Sequence, residues 1–220
     1  MDIRCIVMAA GAASRFGTNK LLQTFRGTAL YLRALRAIPK DIFSRVVVVT
    51  GSEDISRTAQ AMGFSVVWND RPAEGISHTV RMGLSEAGDC DGALFMTADQ
   101  PLLSENTLRC LAAAFAETPD RIISAACGEK RGNPCVFPRS LFPALQSLQG
   151  DIGGSAVIRQ NHHLLRLVQV PAADLVDCDT PEALLALEMH DFCEKTEEKP
   201  QKRFDKQYMD CYNRKAALKR

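Results

Sequence analysis

Arg15 and Lys20 sit five residues apart in the segment Met8-Ala9-Ala10-Gly11-Ala12-Ala13-Ser14-Arg15-Phe16-Gly17-Thr18-Asn19-Lys20, which follows the apolar run 3–7 without a spacer. Small residues after a buried strand let backbone N–H groups approach an anion closely, and a following helix start adds positive potential. Arginine forks two phosphate oxygens, and lysine supplies a mobile point charge. The pattern is suited to holding a polyphosphate. It is neither of two familiar phosphate loops. A Walker loop needs GxxxxGK[ST], whereas Gly17 is followed by Thr18-Asn19-Lys20, and a dinucleotide fingerprint needs a central glycine that GAASRFG lacks.

Carboxylates supply the complementary chemistry. In LFMTADQPLL, residues 94–103, Asp99 lies just past an apolar run that Pro101 terminates. At a strand end facing the same cleft, its carboxylate is placed to hold Mg²⁺ against phosphates. Ser104 is the better cap for the helix that follows, with Thr107 close behind. In VDCDTPEALLAL, residues 176–187, Asp177 and Asp179 alternate, which predicts a short strand with the two side chains on opposite sides. Pro181 and Glu182 open a last helix, for which Asp179 or Thr180 is a natural cap.

These residues need elements to position them. Short β-branched runs at 3–7, 46–50, 64–68, 93–97, 122–126, 135–137 and 164–170 predict strands. Between most of them lie amphipathic stretches at 29–38, 55–62, 79–87, 107–116, 141–148 and 155–160, with a last helix from 181 to about 189. Alternation of this kind predicts an α/β fold, a single three-layer Rossmann-like domain with a mainly parallel central sheet. Ligands then bind beyond the carboxyl ends of the strands, where strand order reverses.

Composition bounds the function. The 220 residues carry a net charge of +1, with 46% hydrophobic and 24% charged residues, the profile of a globular domain with no basic excess for nucleic acid or an anionic membrane. No run reaches the roughly 20 apolar residues of a membrane span. The first apolar run is too short for a secretory leader, so the expected compartment is the cytoplasm. The eight cysteines show no CxxC spacing and are expected to be reduced and structural. The domain is expected to span 1–190. Residues 191–220, with nine basic and six acidic side chains, form a charged tail, helical or disordered.

The pattern AAGxxSRxGxxKLL, running from Ala9 to Leu22, resembles the signature of the MobA-like nucleotidyltransferases, and more narrowly that of the molybdenum cofactor cytidylyltransferases. The fold this implies is GT-A-like. Guanylyl-transferring relatives usually have glycine where this chain has Ala10, and a methyl there narrows a base pocket in favour of a pyrimidine. The resemblance implies nucleotide contacts at Ala9, Ala10, Gly11, Ser14, Arg15 and Lys20. Arg15, Lys20 and Asp99 are then the catalytic residues, with Mg²⁺ (or Mn²⁺) on Asp99. The segment 177–182 is similar to the family's DxDTPED, which implies Asp179 as second metal ligand and Asp177 as fallback.

Further stretches follow the resemblance in order. NDRPAEGISHTVRMGL, residues 69–84, matches a nucleotide-contacting helix start at Gly75 and Ser77, with His78 where a serine is usual. KRGNPCVFP, residues 130–138, resembles a turn that shapes the acceptor site, at Gly132, Asn133 and Pro134, with Asn133 replacing a usual histidine. QGDIGGSAVI, residues 149–158, matches GDxGxR at Gly150, Asp151 and Gly153, but the arginine is missing and Gly154-Ser155 occupies its region. Asp151 is expected at the acceptor or as a helix cap. The reaction implied joins CMP from CTP to the terminal phosphate of molybdopterin, releasing pyrophosphate, for a recipient molybdenum hydroxylase. Other guanylyl or cytidylyl acceptors, or a nucleotide-binding chaperone without turnover, are the alternatives.

Overall fold

The structure, a computed structural model, describes residues 1–11 and 19–194. The first strand, β1 (Ile3–Ala9), is followed by a small hairpin, β2 (Thr24–Phe25) and β3 (Thr28–Ala29), and then α1 (Leu30–Arg36). Next come β4 (Arg45–Thr50), α2 (Glu53–Ala61), β5 (Ser65–Trp68), α3 (Ile76–Ala87), β6 (Gly92–Thr97) and α4 (Glu105–Glu117). The remainder comprises β7 (Ile122–Cys127), β8 (Lys130–Pro138), α5 (Phe142–Gln146), α6 (Gly154–Gln160), β9 (Leu165–Gln169) and α7 (Pro181–Glu194).

Seven strands form one sheet in the order β5-β4-β1-β6-β8-β7-β9. Every pairing is parallel except those of β8, which runs against β6 and β7. The expected α/β architecture is present. Val47, Val48 and Val49 are fully buried, as a strand covered on both faces requires. One apolar layer joins the sheet to α1, α2 and α4 through Leu35, Ile55, Leu108 and Phe115. The other joins it to α3, α5 and α6 through Val80, Leu145 and Val157.

Strand order reverses at β1. The chain winds from β1 to β4 and β5 on one side, then crosses to place β6 on the other, in register from Ile3↔Gly92 to Met8↔Thr97. The cleft beyond these two strand ends is where an open α/β sheet admits ligands.

Four local expectations need correction. Lys130–Pro138 is a strand throughout, not a turn, and is far longer than the run 135–137 suggested. Its apolar half alone carries the periodic signal. Residues 176–179 form no strand, because the Cys178 amide is spent on the Asp99 carbonyl (3.0 Å) rather than on a ladder. The helix expected at 79–87 begins at Ile76. The last helix continues to Glu194, past its expected end near 189, and the tail from 195 lies outside the described residues.

Candidate active site

β1 delivers Ala9 and Ala10, both nearly buried, to the switch point, and Gly11 to its exposed lip. Ala10 packs in the apolar layer under α3. Among the described residues no atom lies within 4 Å of where a Gly11 side chain would stand. Ser14 and Arg15 lie outside the described residues. The chain resumes at Asn19, whose side-chain oxygen accepts from the Leu21 amide (3.1 Å) and caps a short 3₁₀ turn at Lys20–Leu22. That turn fixes the base of the Lys20 side chain.

Lys20 Nζ donates to Asp99 Oδ2 at 2.6 Å and to Asp179 Oδ1 at 2.9 Å. Burial alone would lower the lysine's pKa, but attraction to Asp99 and Asp179 outweighs it and raises the ammonium above its usual range. The amide of Cys178 bonds the Asp99 carbonyl, which ties the 177–179 segment to the end of β6 and sets its two carboxyls beside Asp99. Asp177 is pushed up to about 6, first by burial and then by repulsion from Asp99 and Asp179. Thr180, not Asp179, caps α7: its hydroxyl accepts from the Ala183 amide at 3.2 Å. Asp179 is thereby left to Lys20.

Asp99 Oδ1 is buried and has no hydrogen-bond partner among the described residues, which leaves an acceptor open beside Lys20 and Asp179. Oxygen donors of this kind suit a hard divalent cation. Among the described residues no group of three or more His, Cys, Asp or Glu side chains is placed to hold a metal ion. The residues therefore fit an ion held by one or two carboxylates and completed by substrate phosphates, the usual mode for Mg²⁺.

The second wall is the start of α3. Gly75 has φ +84°, and a Cβ there would stand 2.5 Å from the Gly150 carbonyl carbon and oxygen. The Ser77 amide donates to the Gly150 carbonyl (3.2 Å), and the Ile76 amide to Asp151 Oδ1 (3.4 Å). Asp151 thus caps α3, across 75 residues, rather than the helix that follows it. Ser77 is not a cap: it lies inside α3, fully buried, and its hydroxyl accepts from Arg81 (3.1 Å). His78 is buried, and its Nδ1 sits 3.2 Å from Glu74.

The third wall is β8. Gly132 packs on Leu175, Asn133 precedes Pro134 through a cis peptide bond, and Pro134 is buried. Gln100, which the sequence reading passed over, links this wall to the first. Its amide donates to the Asn133 carbonyl (3.3 Å), a hydrogen bond to it partly offsets the rise of the Asp177 pKa, and its own buried oxygen has no partner among the described residues. A buried glutamine beside Asp99 was the only signal. Arg131 Nη2 donates to Ser155 Oγ (3.4 Å), so a guanidinium from β8 occupies the region where the GDxGxR pattern lacks one.

The chain's match to a family model covers residues 5–165, from the first strand through β9's first residue. The chain belongs to the MobA-like NTP transferase domain family. The chain is similar to the purine catabolism protein PucB of Bacillus subtilis, 27% identical over 190 residues, which are 80% of this chain and 91% of that protein. The Rv0371c structure from Mycobacterium tuberculosis is 25% identical, with a TM-score of 0.69 over 86% of this chain and 98% of that one. It has also been solved in complex with manganese. A nucleotidyl transferase from Methanothermobacter, 23% identical, superposes with a TM-score of 0.73 over 88% of this chain and 99% of that one. Among the described residues of this MobA-like chain, no helix is long and apolar enough to cross a membrane, and six cysteines are free.

Proposed function

We propose that this nucleotidyltransferase moves a cytidylyl group from CTP to the terminal phosphate of molybdopterin. The observation that carries the reading is Lys20, bonded to both Asp99 and Asp179 at the carboxyl end of the β1–β6 switch point. A cation between two carboxylates, one with an open oxygen, is the arrangement that a triphosphate and its counter-ion require.

An oxygen of the acceptor phosphate attacks the α-phosphorus of CTP in line. The bond from that phosphorus to the bridging oxygen breaks, and pyrophosphate leaves with the electron pair. A phosphate dianion needs no general base, so positioning and charge neutralisation carry the catalysis. Ala9, Ala10, Gly11 and Ser14 line the triphosphate. Arg15 and Lys20 stabilise charge on it and on the leaving pyrophosphate. Gly75 and Ser77 set the α3 start against the nucleoside, and Gly132, Asn133, Pro134 and Asp151 shape the acceptor side. Asp99 and Asp179 would hold Mg²⁺ or Mn²⁺, which when bound neutralises the triphosphate; the manganese complex of the mycobacterial relative is in keeping with this. Ala10 supports CTP over GTP through its resemblance to the cytidylyl-transferring subgroup. A recipient molybdenum hydroxylase accords with the purine catabolism named for the Bacillus relative, because oxidising a ring carbon with water is hydroxylase chemistry.

Thermal melts of the full chain with CTP, GTP, ATP and UTP, each with Mg²⁺, test the nucleotide. A ligand at about 100 times its dissociation constant stabilises by roughly 2.7 kcal/mol, and the largest shift is expected with CTP. A larger shift with GTP moves the reading to guanylyl transfer. Pyrophosphate release from CTP, Mg²⁺ and molybdenum cofactor then tests turnover: a carrier releases none.

A further inference from the structure

Lys20 and a divalent ion have the same partners. The ammonium donates to Asp99 Oδ2 at 2.6 Å and to Asp179 Oδ1 at 2.9 Å. These are the carboxylates that the reaction proposed above gives to the metal, and Mg²⁺ holds its oxygens at roughly 2.1 Å. An ion drawn to both oxygens would meet the lysine's positive charge at short range, in a site dry enough for the repulsion to be felt. One of the two cations must leave.

The free protein offers the ion little else. Among the described residues no group of three or more His, Cys, Asp or Glu side chains is placed to hold a metal ion. Asp99 Oδ1 is buried with no hydrogen-bond partner among them, so one acceptor stays open while Lys20 holds the other oxygen. A lone carboxylate oxygen is a weak site for Mg²⁺, which takes one or two carboxylates and completes its shell with substrate phosphates.

Lys20 is built to change partners. Its backbone is fixed, because Asn19 caps the 3₁₀ turn that Lys20 opens. Its head is free to move: the four-carbon stem is flexible, and Asp179, one of its two partners, is mostly exposed. β1 and β6 end side by side, so a triphosphate laid at the end of β1 competes with the carboxylates after β6 for one ammonium.

We propose that Lys20 locks the metal site of the free protein, and that a nucleoside triphosphate opens it by drawing the ammonium from Asp99 and Asp179 onto phosphate oxygens. The inference rests on the reading that the cleft takes a triphosphate. Nucleotide and ion then bind with positive coupling, each raising the other's affinity by the same factor. The bare ion is kept out, and it enters with the substrate.

The probe is Mn²⁺ alone, titrated into the full chain and followed by the spin-resonance signal of the free ion. Lys20→Met vacates the two oxygens and should bind Mn²⁺ about tenfold or more tighter than the wild type. Adding Asp99→Asn to Lys20→Met should abolish the gain, which places the ion at these carboxylates. Arg33→Gln is the control for charge alone: Arg33 donates to the Pro101 carbonyl (2.8 Å), two residues past Asp99, and joins no ion pair among the described residues. Its loss should change Mn²⁺ affinity little. Equal Mn²⁺ affinity in wild type and Lys20→Met overturns the proposal. So does a gain in Arg33→Gln as large as that in Lys20→Met, or a gain that survives Asp99→Asn.

Thermal melts establish that each variant is folded, and they test the opening. In the wild type the shift with CTP and Mn²⁺ together should exceed the sum of the shifts with CTP in chelator and with Mn²⁺ alone. The excess should shrink in Lys20→Met; an undiminished excess overturns the nucleotide's part in the opening. If Lys20→Met gains Mn²⁺ affinity but neither CTP, GTP, ATP nor UTP stabilises the wild type, the lock stands and the triphosphate reading fails instead.

Discussion

The ammonium of Lys20 lies 2.6 Å from Asp99 Oδ2, although 79 residues separate them. The contact exists because β1 and β6 are parallel neighbours, so the segments leaving their carboxyl ends emerge together. The two side chains are 22% and 14% exposed, wet enough to exchange partners and dry enough to feel each other strongly. Asp99→Asn keeps the shape and a hydrogen-bond acceptor but removes the charge. Turnover is expected to fall by about 10²-fold or more, with the melting temperature little changed. Pyrophosphate release measured beside thermal melts checks this; a fully active Asp99→Asn enzyme removes the residue from the metal site.

Asp177 gives a pH signature in the metal-free chain. Its folded pKa, about 6, lies above the ordinary 3.8 because burial and the neighbouring Asp99 and Asp179 disfavour its charge. Between those values the folded state binds more protons than the unfolded one, so this group's contribution makes stability fall as pH rises. The penalty is absent below 3.8 and complete above about 6. Asp177→Asn should therefore melt higher than wild type at neutral pH in chelator, and alike at acid pH. A gain that is the same at both pH values contradicts this origin.

What could be read from sequence follows the range of the forces involved. Val46–Val49 and the other apolar runs mark the sheet strands because burial on both faces leaves a continuous apolar signal. β2 and β3, two residues each, are too short to show a period. Local pattern sets Lys20, Asp99 and Asp179 each beside a strand or helix end, and the structure brings the three side chains together. Asp151 was not assignable: its partner, the Ile76 amide, is 75 residues away. Likewise 177–179 alternates like a strand, yet one long-range bond from Cys178 to Asp99 overrides that preference. His78 is buried because α3 begins three residues earlier than its apolar pattern suggests.

Gly75 and Gly11 should answer the same substitution differently. An alanine at Gly75 meets the Gly150 carbonyl at 2.5 Å in a φ of +84°, and strain plus overpacking should cost about 2–4 kcal/mol. An alanine at Gly11 meets nothing within 4 Å among the described residues and needs no left-handed backbone. Gly11→Ala should melt near wild type without ligand, while its CTP-induced shift shrinks because a methyl stands where the phosphates pass. Denaturant midpoints, with and without CTP, measure both. A Gly75→Ala protein as stable as wild type means the Gly75–Gly150 approach is looser than described.

Asp174 holds the helix that follows the Asp99 turn. It is 4% exposed, and its Oδ2 accepts from the Ser104 amide (3.0 Å), the Ser104 hydroxyl (2.6 Å) and the Thr107 hydroxyl (2.5 Å). A buried carboxylate at the N-terminus of α4 meets the Ser104 amide and the positive end of the helix dipole. Asp174→Ala strands three donors at once, and the loss of buried charge-assisted bonds should cost about 2–4 kcal/mol. Asp174→Asn keeps an acceptor without the charge and should cost less. Because Asp174 touches none of the proposed ligand contacts, the folded Asp174→Asn protein should still be stabilised by CTP as the wild type is. Urea melts of both variants, repeated with CTP and Mg²⁺, test this. If Asp174→Ala were as stable as wild type, the capping bonds would contribute nothing, and α4 would be held by its apolar face on the sheet, through Leu108, Leu111 and Phe115, alone.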